Sequence, residues 1–270
     1  MVRARIMTAA AIIVVLVPVL ILGKLEGTIL LVAAFCAVAI CELSGNLSAL
    51  KTPLGRNLTL VVGFAIIGGF YFLPAHAVLA VVAVFPLAVL LLHFFLYNVI
   101  ENTVESVVQM IFVLAYAVVP LAHAILLARL DLGIAWIFFV LTVASLGDAC
   151  AFFTGKYLGK HRFSERVSPN KTVEGLLGGV VGNFLGMLAL KVVVPELAPL
   201  WLLVPITLTV AVVAPLGDLC ASALKRRMQI KDFGSLLPGH GGVMDRADAL
   251  IFAFPTTYHF LILSGLAAPL

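Results

Sequence analysis

Asp218, Ser222 and Lys225 stand at i, i+4 and i+7 in the run GDLCASALKRRMQIKDFGSLLPGHGGVMDRADAL, residues 217–250. On a helix these three side chains share one face, with Arg226 at its border. A carboxylate, a hydroxyl and an ammonium presented together suit a divalent cation and the phosphate oxygens it bridges. Asp245 and Asp248, three residues apart, share a second face if the last helix begins near Val243. Between the two sets lies PGHGG, residues 238–242, in which His240 stands alone. A turn with so few side chains lets backbone N–H groups approach an anion closely. The chemistry that fits is exchange of a phosphoryl bond with a metal ion neutralising the charge. The sequence has no GxxxxGK[ST] loop and no Cys/His cluster with zinc spacing.

A second window carries a similar set. ASLGDACA (144–151) and APLGDLCA (214–221) align over Ala, Leu, Gly, Asp, Cys and Ala, which in an Ala- and Leu-rich chain is as compatible with chance as with a repeat. Either way an aspartate, Asp148 or Asp218, stands at the end of an apolar run, followed by a basic loop. Of the 17 basic and 13 acidic residues, 17 fall within 148–174 and 217–248. Lys and Arg there serve orientation in a membrane and attract anionic lipid, at about 1 kcal/mol per charge near the surface. Acids at the ends of spans need a different reason.

The elements that hold these residues are set by hydropathy. The 270-residue chain is 63% hydrophobic and 11% charged, with a mean hydropathy of +1.20. A soluble domain carries roughly a quarter charged residues, so a bilayer is the expected solvent. Apolar runs predict nine helices, at 6–23, 27–43, 58–73, 77–97, 107–128, 134–153, 173–194, 199–221 and 249–267. The expected fold is an all-α polytopic transmembrane bundle, with N-terminal helices over 1–130 and a catalytic region over 131–270 in one continuous membrane domain. The first apolar run is longer than a signal-peptide core and lacks a clear cleavage site, so it is expected to stay as a helix. With nine spans and the N-terminus inside, fourteen of the basic residues face the cytoplasm and only Lys24, Arg129 and Lys191 do not. The polar loops 154–172 and 222–248 are therefore expected to be cytoplasmic. Cys36, Cys41, Cys150 and Cys220 are expected as small fillers, His76, His93 and His123 as structural, and Glu42, Glu101 and Glu105 as solvated helix caps. A transporter would place acids or bases in mid-span, and the spans are almost free of them.

The run S-x-x-K-R-x4-K-D-x-G-x3-P-G-H-G-G-x-x-D-R-x-D, from Ser222 to Asp248, resembles the C-terminal motif of the CDP-diacylglycerol synthases, or phosphatidate cytidylyltransferases. GDACAFFTGKYLGKHRFSERVSPNKTVEGLLGG, from Gly147, is similar to an earlier segment of that family, and the resemblance covers about 140–260. It implies an inner-membrane enzyme joining CTP and phosphatidate, with CDP-diacylglycerol and pyrophosphate as products. It implies Mg²⁺, with a second cation conceivable, a homodimer as a candidate assembly, and no nucleic-acid partner. By position it implies Asp218, Asp245, Lys225 and Arg246 as catalytic and Asp218, Asp245, Asp148 and Asp248 as metal ligands. Ser222, Arg226, Lys231, His240, Gly241, Gly242, Ser168, Lys171 and Thr172 fall on substrate-binding positions. The chain departs from the family at Ala221, where a glutamate is usual, and at Val173, Ser235 and Ala249. The missing glutamate implies a higher Mg²⁺ requirement, with a closed pocket around the alanine as the competing outcome. The alternatives are a related CTP-dependent lipid nucleotidyltransferase, a lipid-alcohol kinase and a non-catalytic paralogue.

Overall fold

The computed structural model describes residues 2–97, 103–164, 168–237 and 241–266. It is helical nearly throughout, as long apolar runs lead one to expect: without water, only helices bonded within each segment or closed barrels can cross a bilayer. The chain forms α1 (Val2–Asn46), α2 (Pro53–Phe72), α3 (Ala75–Tyr97), α4 (Thr103–Val113), α5 (Val119–Ala128), α6 (Gly133–Leu158), α7 (Val173–Val193), α8 (Leu200–Arg227), α9 (Met244–Ala247) and α10 (Leu250–Leu263). A π-helical turn, Leu114–Val118, joins α4 to α5. Strands β1 (Arg162–Ser164) and β2 (Ser168–Thr172) pair antiparallel in what the sequence predicts as a plain loop.

Among the described residues seven helices, not nine, are long and apolar enough to span a membrane. Two differences account for the change. The first two expected helices run together as α1, which breaks at Lys24 (φ 46, ψ −122). The break is sharp, because the backbone at Gly27 lies against the carbonyl of Val19. The last expected helix, 249–267, is shorter: α10 has fourteen residues, too few to cross by itself, and follows the four-residue α9.

The chain divides into two compact units. The first comprises residues 1–129 with the segment 232–246, which the sequence reading places in the C-terminal region. In it α1 packs on α2 and α5, and α2 on α3 and α5. Arg129 donates to the carbonyls of Phe70 and Leu73, closing the end of α2. The second comprises residues 130–231 and 247–268, where α6 and α7 pack closely and α8 packs against both and against α10.

Candidate active site

In the second unit, α8 continues to Arg227, well beyond its predicted end at 221. Asp218, Ser222, Lys225 and Arg226 therefore ride on its last turns, and the shared face expected of them exists. The helix stops at Gln229, which takes a left-handed conformation (φ 58) while the Ile230 and Gln229 N–H groups donate to the carbonyls of Lys225 and Arg226. Lys231 follows, exposed.

The β-hairpin delivers Lys171 to α8. Thr172 caps α7, its hydroxyl accepting from the Gly175 N–H at 3.0 Å. Glu174 accepts from the Lys160 and His161 N–H groups and lies 2.6 Å from the His161 ring, holding the hairpin's entry. So braced, Lys171 places its ammonium 2.7 Å from Asp218 Oδ2 and 3.3 Å from the Pro215 carbonyl. Ser168 begins β2, opposite Ser164. Thr172, expected at the substrate, is used as a helix cap.

Asp248 sits in the turn between α9 and α10, where Gly217 lies against its carbonyl. Its carboxylate accepts from the Ala249 N–H at 2.8 Å. Burial, with the neighbouring charge of Asp218 and a smaller effect of Asp148, raises its pKa to about 7. Lys225 acts in the opposite direction. Asp148, exposed on α6, borders a cavity of about 20 Å³ with Gly147, Ala151, Asn183, Ala214 and Pro215, room for about one water. Two neighbouring acids, Asp218 and Asp148, thus both act on Asp248, which is the electrostatic setting a cation relieves. Among the described residues no three His, Cys, Asp or Glu side chains are close enough to hold a metal by themselves. Mg²⁺ commonly takes one or two carboxylates and completes its shell with water and phosphate oxygens, and Asp218 with Asp248 offer that many.

In the first unit, the segment 232–246 carries Asp245 and Arg246 on α9. Arg246 is exposed, whereas Asp245 is 4% exposed. Asp245 Oδ2 accepts from the Phe233 N–H at 2.8 Å and the Gly242 N–H at 3.0 Å. Because α9 ends at Ala247, Asp245 and Asp248 do not share a helical face. Gly241 turns the chain with φ +81, and its carbonyl accepts from the Leu237 N–H. Pro238, Gly239 and His240 lie outside the described residues.

The glycine-rich turn does not offer all its N–H groups to an anion. Gly242 donates to Asp245, while Val243 and Met244 donate to the two carboxylate oxygens of Glu42, each at 2.9 Å. Asn46, one turn further along α1, donates to the carbonyls of Glu42 and Phe233. Glu42 is the residue that sequence reasoning missed. Its only signal was an acid four residues before the end of a long apolar helix, which a solvated cap explains equally well.

The chain matches the model of the cytidylyltransferase family over residues 3–264. It is 34% identical over 267 residues to a protein of Bacillus subtilis named phosphatidate cytidylyltransferase, covering 97% of this chain and 98% of that one. A Staphylococcus aureus protein of the same name is 31% identical over 270 residues, covering 97% and 100%. One from Staphylococcus saprophyticus is 40% identical over 130 residues, about half of each chain.

Proposed function

The chain belongs to the cytidylyltransferase family, and from that premise we propose that it transfers the cytidylyl group of CTP to phosphatidate at the cytoplasmic face of the inner membrane. An oxygen of the phosphatidate phosphate bonds to the α-phosphorus of CTP. The bond from that phosphorus to the bridging oxygen breaks, and pyrophosphate leaves with the oxygen. CDP-diacylglycerol stays in the bilayer. The observation that carries this reading is the meeting of Lys171 and Asp218 at 2.7 Å, beside Asp248 and Lys225, where α8 leaves its apolar stretch. A water-soluble triphosphate and a membrane-bound phosphate can meet only at such a boundary.

Each residue has a part that follows from its chemistry. Asp218 and Asp248 are the proposed holders of Mg²⁺, with Asp148 a neighbouring acid and Asp245 a fixed part of its own loop. Mg²⁺ supplies neutralisation of the phosphate charge as the bond is exchanged. Lys225 and Lys171 direct ammonium groups at phosphate oxygens, and Ser222, on the same face, offers a hydroxyl. Arg226 and Lys231, both exposed, draw the anionic substrates in, and Arg246, also exposed, is proposed to meet phosphate charge as the bond is exchanged.

The test uses purified protein in mixed micelles with phosphatidate, Mg²⁺ and CTP labelled in the cytidine. A chloroform-soluble labelled product is expected. Asp218→Asn should lower turnover by about a hundredfold or more, the scale of losing several kcal/mol of transition-state charge stabilisation. No labelled lipid from the wild type would overturn the reading. Unaltered turnover in Asp218→Asn at saturating Mg²⁺ would remove the role given to Asp218.

A further inference from the structure

Glu42 reaches from the last turns of α1 into a segment two hundred residues away in sequence. One carboxylate oxygen accepts from the Val243 N–H and the other from the Met244 N–H, each at 2.9 Å. Charge-assisted bonds of this kind are about twice as strong as neutral ones. The glycines around it tell what the space is for. A Cβ added at Gly242 would land on the Glu42 carboxylate, and the three nearest atoms all belong to that side chain. The same holds at Gly234. Neither has the positive φ that demands glycine, in contrast to Gly241. Their missing side chains therefore serve the entry of Glu42. Asn46 adds a second tie from α1, through the carbonyl of Phe233, whose own N–H donates to Asp245. Asp245 also accepts from the Gly242 N–H, next to the pair held by Glu42.

We infer that Glu42 is a positioning residue for the reaction: it fixes the backbone that carries Asp245 and Arg246, and Gly234 and Gly242 are kept bare for its carboxylate. The inference rests on the proposed cytidylyl transfer, since that gives the loop its task. The N-terminal helix thereby takes part in the reaction without touching substrate. Glu42→Gln keeps one acceptor and sets an amide N–H₂ against the other N–H. Glu42→Ala removes both acceptors.

The test is a double-mutant cycle between Glu42→Ala and Gly242→Ala, read by kcat, by KM for CTP, and by hydrogen exchange across the chain. Each single change should lower kcat about 100-fold, the cost of a misplacement of about 1 Å. KM for CTP should move far less. Exchange should quicken in the 232–246 peptides while those from α6 to α8 stay as in the wild type. Glu42→Gln should fall between the wild type and Glu42→Ala. The decisive arm is the double variant. With the carboxylate gone the new methyl has room, so Glu42→Ala/Gly242→Ala should be no worse than Glu42→Ala alone. Additive losses, or exchange that quickens throughout the protein, would overturn the inference, as would wild-type kcat in Glu42→Ala. If the wild-type protein itself makes no labelled lipid, the functional reading fails. The exchange arm and the cycle, repeated on thermal unfolding, then still decide whether Glu42 holds this loop.

Discussion

Ala221 fills the position three residues beyond Asp218 on α8, where the resembling family carries a glutamate. Its side chain is fully buried, and so is Gly217 one turn earlier. Asp218, Ser222 and Lys225 line a different row of the same helix, each partly open to solvent. The alanine thus belongs to the packed side of α8, and a closed pocket is the outcome its surroundings favour. Ala221→Glu should bury a carboxylate where a methyl group is fully enclosed, at a cost of at least about 1–3 kcal/mol. We expect a lower midpoint of thermal unfolding in detergent, reduced turnover, and no fall in the Mg²⁺ concentration giving half-maximal activity. A lower Mg²⁺ requirement at unchanged stability would show instead that the acid reaches the metal. The row formed by Asp218, Ser222 and Lys225 was legible because helical spacing alone defines it. The duty of Glu42 was not, because its partners, Val243 and Met244, are about two hundred residues distant and no local pattern links them. The cap at Thr172 was open to two readings for a related reason: a threonine before V-E-G serves as a helix cap as naturally as a phosphate contact.

Among the elements, α6 and α7 approach until backbone meets backbone. A Cβ at Gly182 would collide with the Leu146 carbonyl and with Cys150, and one at Gly186 with the Thr142 carbonyl. Small residues permit this in membranes, where packing must do what the hydrophobic effect does in water. Asn183 completes the seam by donating to the Val143 carbonyl at 2.9 Å, across from Gly147. The seam places Asp148, next to Gly147, and sets where the β-hairpin leads into α7. Gly182→Leu should force the two helices apart, with an overpacking cost of about 1–3 kcal/mol. We expect a lower unfolding temperature in detergent and a parallel loss of cytidylyl transfer. Unchanged values of both would mean that the helices separate more easily than their packing indicates. Long apolar runs made these helices readable from sequence. The break at Lys24 was legible only as a gap between two predicted helices, 6–23 and 27–43. The hairpin of β1 and β2 escaped notice because its strands are short, polar and hold few apolar residues in alternation.

For the whole molecule, the arrangement in the membrane follows from charge and from parity. The seven long apolar helices make the chain an integral membrane protein, and α7 and α8 are two of them. Two spans return a chain to the side it left. The segment before α7, carrying Lys156, Lys160, Arg162, Arg166 and Lys171, and the segment after α8, carrying Lys231 and Arg246, should therefore share a side whatever the count of spans earlier in the chain. At the opposite ends of these helices the connection from Val194 to Pro199 has no basic residue, and Lys191 beside it bonds to the Pro195 and Ala198 carbonyls. Basic residues are retained on the cytoplasmic side, so both polar segments are proposed to face the cytoplasm. Lys160→Cys and Ser235→Cys test this, because both positions are exposed. The background should have Cys36, Cys41, Cys150 and Cys220 replaced, since all four are free thiols. A membrane-impermeant maleimide should label neither variant in intact cells and both once the membrane is opened. Labelling of both in intact cells would invert the orientation and place the phosphate chemistry away from cytoplasmic CTP. Labelling of one alone would mean that α7 or α8 does not cross, which would separate Lys171 from Asp218 and remove the pair on which the proposed reaction depends.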